Sequence, residues 1–147
     1  MKTPPASMDW IQQLTAPPLD TLYRTELILP QQANPYGTLF APEALALLGR
    51  TAYLAARQFS GQAVVMAAAQ EIKFLKPVVV GALLHVHARV VRVGRSSMTI
   101  EVHAALDAAP GTGRPDALRG SFEMVAVDAA GRPVAIRAEA NLTAPVC

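Results

Sequence analysis

Gln32-Ala-Asn-Pro-Tyr-Gly-Thr-Leu-Phe-Ala-Pro-Glu-Ala-Leu-Ala-Leu-Leu-Gly49 is the stretch from which the rest of the chain can be read. A polar loop, Asn34-Pro35-Tyr36-Gly37, runs directly into an Ala/Leu-rich segment. Pro42 suits a first helical position, because the N–H that proline lacks has no intrahelical acceptor there. Glu43 follows where the positive end of the helix dipole favours a carboxylate. From Glu43 to Phe59 there is no proline, and Leu45, Leu48, Ala52, Ala55, Ala56 and Phe59 recur at helical spacing. The pattern predicts a helix at the buried centre of the fold. Its N-terminus faces the polar loop and is the expected place for chemistry.

On either side of this helix the periodicity is that of strands. Thr21–Leu29 alternates well enough for a first strand, closed by Pro30. After the helix, Ser60-Gly61 is a stop and turn signal. Ala63–Phe74 reads as a strand that Pro77 interrupts. Ala82–Val93 reads as another, and its alternation changes phase after Val90, predicting a bulge. Gly94-Arg95 marks a hairpin turn. Ser97–Ala105 alternates cleanly, Leu118–Asp128 makes a fifth strand, and Val134–Leu142 a last one. The Pro/Gly/Ala stretch 108–115 is a loop. Residues 1–20 are expected to be a tail with a short amphipathic helix over Met8–Leu14, and 21–147 a single domain. A single alanine-rich helix can lie in a strongly curved antiparallel sheet, because small side chains permit close approach. The outcome is an α+β fold with five to six strands.

Composition bounds the function. The chain has 147 residues, 52% of them hydrophobic and only 16% charged, so much of its surface is uncharged and suited to an oligomer. A formal charge of +2 without any basic run gives no argument for nucleic acid, and no helix-turn-helix segment is present. The only cysteine is Cys147, which leaves no disulfide framework and fits a reducing cytoplasm. Apolar runs such as Ala63–Ala69 are too short to span a bilayer, so no membrane partner is expected. His85 and His87 alternate on one strand, and Glu101 and His103 can neighbour them. No metal-ligand spacing supports zinc, so a solvated polar face is expected and no metal.

Several strings in order resemble the hotdog-fold acyl-CoA thioesterases, nearest the bacterial general acyl-CoA thioesterases related to animal cytosolic acyl-CoA hydrolases. They are Asn34-Pro-Tyr-Gly37-Thr-Leu-Phe40, Phe74-Leu-Lys-Pro77-Val-Val-Val-Gly81, Val90-Val-Arg-Val-Gly-Arg-Ser-Ser97 and Met124-Val-Ala-Val-Asp-Ala-Ala-Gly-Arg-Pro133. The resemblance covers roughly residues 22–137. It implies a hotdog fold, one long helix wrapped by a curved antiparallel sheet. It also implies a homodimer or larger homo-oligomer such as a tetramer or hexamer, with acyl-CoA as substrate and no cofactor beyond the coenzyme A of the substrate itself.

In that family the thioester carbonyl sits at the helix N-terminus, where a backbone N–H stabilises the developing oxyanion. The matching donor here is Ala41. The resemblance places Asn34 at the family's loop position for a catalytic group. Tyr36, Gly37 and Phe40 fall beside the acyl thioester, and Lys76, Arg95 and Ser97 where relatives meet the CoA phosphates and adenosine. The family's carboxylate stands either at the Asn34 position or nine residues after the Phe40 position, which is Gly49. Neither residue is a carboxylate. An amide orients water or thioester but cannot remove a proton, so Glu43 is the nearest candidate base. Two readings stand: an acyl-thioester hydrolase, and a non-catalytic hotdog protein that binds acyl-CoA or acyl carrier. A hotdog dehydratase or hydratase needs a histidine near the helix, and Gly37 stands where such a loop would carry it.

Overall fold

The computed structural model describes residues 20–137; the expected Met8–Leu14 helix and the distal part of the expected Val134–Leu142 strand lie outside them. Five strands form one antiparallel sheet: β1 (Thr21–Leu27), β2 (Val64–Phe74), β3 (Leu83–Val93), β4 (Ser97–Leu106) and β5 (Asp116–Ala126). Their spatial order is β1-β3-β4-β5-β2. Between β1 and β2 the chain makes a short 3-10 turn, Pro30–Gln32, and then a 20-residue helix, α1 (Ala41–Ser60). The elements follow the periodicity of the sequence, and the architecture is the hotdog arrangement of one main helix on a curved sheet. The described part of the sixth expected strand, Val134–Arg137, adds no ladder. It is held by single bonds, Val134 N–H to the Ala126 carbonyl and Ile136 N–H to the Arg95 carbonyl.

The helix lies on the sheet through its small residues. Ala44, Ala52, Ala55 and Ala56 are essentially inaccessible, as are Leu47, Leu48 and Phe59. They meet Leu84, Val86 and Ala88 of β3, Met98, Ile100, Val102 and Ala104 of β4, and Phe122 and Met124 of β5 in one continuous core. Leu45, expected inside, is 41% exposed, because the helix turns its Ala44–Leu48–Thr51–Ala55 side to the sheet instead. Thr51 is fully buried and satisfies its hydroxyl on the Leu47 carbonyl at 2.8 Å, one turn back. Gly61 ends α1 in the left-handed conformation at φ 66°, the C-terminal signal read in the sequence.

Two irregularities shape the sheet. The register of β3 against β4 shifts between Val90 and Arg92, as the change of phase predicts. β2 shifts twice against β5, between Met66 and Ala68 and between Gln70 and Lys73. At the second shift Ile72 packs over Gly120 of β5. A Cβ at Gly120 would stand 2.5 Å from Ile72 Cδ1 and 3.0 Å from the Phe122 ring. Gly120→Ala therefore overpacks the core and should cost about 1–3 kcal/mol in denaturant unfolding. Ile72→Ala in the same chain should restore part of that loss by removing the obstructing methyl. A Gly120→Ala protein as stable as the parent would contradict this account of the packing.

Candidate functional site

The loop ahead of α1 is built by the Asn34 side chain. Its Oδ1 accepts the Tyr36 N–H at 2.9 Å and the Thr38 N–H at 3.1 Å, while Nδ2 donates to Thr38 Oγ1 at 2.8 Å. The backbone repeats the closure: Asn34 N–H donates to the Thr38 carbonyl at 2.8 Å and Gly37 N–H to the Asn34 carbonyl at 3.2 Å. Gly37 sits at φ 83°, a conformation an L side chain rarely adopts. The loop is then tied across to the segment after β2. Leu39 N–H donates to the Val78 carbonyl at 2.7 Å, and Val80 N–H to the Gly37 carbonyl at 3.2 Å. Phe40 N–H reaches back to the Gln32 carbonyl at 2.9 Å.

These bonds leave α1 with an open N-terminus. Phe40 is the N-cap, with an extended backbone and no capping side chain. Ala41 follows, and its N–H has no acceptor among the described residues. Beside it lies a cavity of about 220 Å³ lined by Asn34, Leu39, Ala41, Ala44, Phe74, Leu75, Lys76, Pro77, Val78 and Leu118. Of the residues singled out in the sequence, the fold therefore gathers Asn34, Ala41 and Lys76 around one space. Glu43 occupies the first turn of α1 and is half-buried, but is not in the cavity wall. Tyr36 is 87% exposed at the tip of the loop, and Gly37 and Phe40 lie beside the cavity without lining it. Arg95 and Ser97 belong to the β3–β4 hairpin, away from this wall. The apolar wall made by Leu39, Ala44, Val78 and Leu118 escaped the sequence reading, because it is assembled from four separate segments.

The geometry limits what Asn34 can do. Both acceptor directions of Oδ1 are used and one Nδ2 hydrogen is committed, so a single donor remains to meet a ligand oxygen. A carbonyl oxygen placed in this space would find the Ala41 N–H and the positive end of the α1 dipole. Lys76, exposed at the mouth, adds a positive charge. Among the described residues no group of three or more His, Cys, Asp or Glu could hold a metal. The strand histidines lie elsewhere, on the sheet face opposite α1. There Tyr23, His87 and His103 stack with ring centroids 5.7 and 5.3 Å apart, and His85 Nε2 lies 2.8 Å from Asp107 Oδ1. Burial, and then the neighbouring His103, hold His87 below the ordinary histidine pKa.

Gly49, two turns into α1, faces Met66 of β2. A Cβ at Gly49 would stand 3.2 Å from Met66 Cε, so the thioether end would have to give by a few tenths of an ångström to admit a side chain there. The pair explains a glycine inside a helix, where it costs about 1 kcal/mol relative to alanine. Gly49→Ala should therefore gain little or lose stability in the parent. In a Met66→Ala background it should gain about 1 kcal/mol. A double-mutant cycle without coupling would show that Met66 does not restrict position 49.

Comparison with known proteins agrees with this layout. The profile of the Thioesterase superfamily matches residues 36–106. An uncharacterised acyl-CoA thioester hydrolase of Zymomonas mobilis is 36% identical over 107 residues, 73% of this chain and 72% of that protein. An acyl-CoA hydrolase from Staphylococcus aureus, solved with butyryl coenzyme A, coenzyme A and coenzyme A disulfide, superposes with a TM-score of 0.75 at 27% identity. That superposition covers 86% of this chain and 82% of the other. The hexameric thioesterase y2039 from Yersinia pestis superposes with a TM-score of 0.71 at 28% identity, covering 77% and 92%.

Proposed function

The chain belongs to the thioesterase superfamily, and from that premise we propose that it hydrolyses acyl-CoA by attack of water on a thioester held at the N-terminus of α1. The observation that carries this reading is the unpaired Ala41 N–H, opening on a cavity that holds an amide donor from Asn34 and a charge from Lys76. In the hydrolysis of a thioester the carbonyl oxygen gains negative charge as water adds. A fixed donor at a helix terminus meets that charge without reorganising. Asn34, with its one free N–H, holds the carbonyl in place. Glu43, in the first turn, is the carboxylate nearest in sequence to the site and is assigned the proton transfer. Tyr36, Gly37 and Phe40 shape the acyl side, while Lys76, Arg95 and Ser97 face the nucleotide part of coenzyme A. Coenzyme A enters as part of the substrate, and the reaction needs no cofactor.

The assembly extends the site. β1 and β2 are the two edges of the sheet, and β2 leaves Val65, Met66 and Phe74 largely exposed. On α1, Leu45, Tyr53 and Leu54 are exposed as well. An apolar edge of this kind calls for a covering surface, and a second copy of the chain supplies it, giving a homodimer or a higher homo-oligomer. The lack of a disulfide framework in a chain whose one cysteine is Cys147 supports a cytoplasmic location. A second reading, acyl-CoA binding without turnover, draws on Asn34 and Gly49, where no carboxylate stands.

Three measurements test the proposal. Ala41→Pro removes one N–H at a helical position that tolerates proline. It should lower kcat by about 10²–10³-fold with thermal stability nearly unchanged. Glu43→Gln should lower the rate by about 10²–10⁴-fold if Glu43 is the base; an unchanged rate removes that assignment alone. Full turnover by Ala41→Pro would overturn the oxyanion role, and a parent inert across acyl lengths yet binding acyl-CoA would establish the second reading. In sedimentation the chain should run as a dimer or larger species at micromolar concentration; a monomer would contradict the assembly.

A further inference from the structure

The face of the sheet turned away from α1 carries a second cavity, of about 260 Å³, lined by Glu71, Lys73, Glu101, His103, Arg119, Gly120 and Ser121. Its composition follows from strand register. Lys73 of β2 stands directly opposite Arg119 of β5, and Arg119 directly opposite His103 of β4. Lys73 and Arg119 are like charges directly opposite, an arrangement that destabilises a sheet, while His103 Nδ1 lies 3.4 Å from Asp116 Oδ2. Two other strand arginines are matched, Arg24 with Glu26 and Arg92 with Glu123, whereas Arg89 of β3 makes no ion pair among the described residues. Among the described residues neither Lys73 nor Arg119 has a carboxylate within ion-pair distance.

The backbone is distorted to make this juxtaposition. Gln70 pairs with Ser121, so regular alternation would set residue 73 opposite Leu118, on the core side. The bulge between them returns Lys73 to the outer face beside Arg119, and within it Glu71 takes φ 52°, the one positive φ of a non-glycine among the described residues. A non-glycine residue in that region costs about 1–2 kcal/mol. Strain and the two opposed cations thus meet at one place, in a wall that also holds Glu71 and Glu101 and beside the β2 edge that the proposed second copy borders.

We propose that this cavity is an oxyanion site for a phosphate group, gripped by Lys73 and Arg119 with His103 and Ser121 beside them, and separate from the acyl site. A guanidinium, an ammonium, an imidazole and a hydroxyl form a donor set suited to a tetrahedral oxyanion. The Glu71 and Glu101 carboxylates in the same wall accept hydrogen bonds from a ligand. Phosphate keeps a proton to donate to them near neutral pH, whereas sulfate does not.

The test uses the full chain and inorganic phosphate, with calorimetry for binding and thermal unfolding for stability. Phosphate should bind the parent and raise its melting temperature by mass action. Lys73→Gln and Arg119→Gln should each weaken phosphate binding by about tenfold or more. Without phosphate, each variant should melt at or above the parent, because one of two opposed charges is gone. Sulfate should bind more weakly than phosphate. Binding should persist in saturating coenzyme A, which distinguishes this site from the substrate's own phosphates and leaves the test independent of whether the chain hydrolyses thioesters. Absence of binding at millimolar phosphate, equal binding by both variants, or displacement by coenzyme A would overturn the proposal. So would loss of the oligomer in the two variants without any phosphate effect, which would assign the cations to a contact between copies.

Discussion

The close approach of α1 to the sheet is the contact on which the rest of the molecule depends. Ala52, Ala55 and Ala56 let the helix backbone sink towards the strands, and Leu47, Leu48 and Phe59 fill the space at the sides. Each large apolar side chain buried there contributes about 1.5–3 kcal/mol, and the sheet curves around the helix to make those contacts. With the helix seated this way, its N-terminus comes out beside Val78 and Leu118. The Asn34 loop must then bridge from β1 to that point. The cavity is a consequence of how the helix is seated.

The electrostatics of the candidate site come from backbone groups more than from side chains. The unpaired Ala41 N–H and the dipole of a 20-residue helix supply the positive potential, and the Asn34 side chain is mostly spent on holding its own loop. An asparagine is suited to that work because one side chain both accepts and donates, where an aspartate could only accept. The candidate site thus offers a polarising backbone donor without a carboxylate in its wall. Position 49, where the family offers a carboxylate, is a glycine whose missing Cβ would stand 3.2 Å from the flexible thioether end of Met66.

The bulges of β2 give the sheet two different faces at one edge. On the helix side they bring Met66 to Gly49 and Ile72 to Gly120; on the outer side they bring Lys73 to Arg119. Bulges re-aim side chains at a local cost in ladder bonds. Here the same short segment conditions both the packing on the helix side and the charge pattern of the opposite face.

The sequence by itself determined the helix, its end at Gly61 and its start to within one residue (Pro42 expected, Ala41 found), five strands, the phase change after Val90 and the polar loop ahead of the helix. Each is a local signal, a periodicity or a residue with restricted backbone freedom. Family membership was legible for the same reason, in four short strings around turns and caps. Tertiary structure alone decided which face of α1 is buried, so that Leu45 is exposed and Ala44 is not. It also decided that Leu39, Ala44, Val78 and Leu118 share one wall, that Gly49 answers to Met66, and that Lys73 meets Arg119. Those relations join residues far apart in the chain, and a one-residue shift of register would undo each of them. Local propensity carries no information about register between distant strands; packing of the whole core selects it.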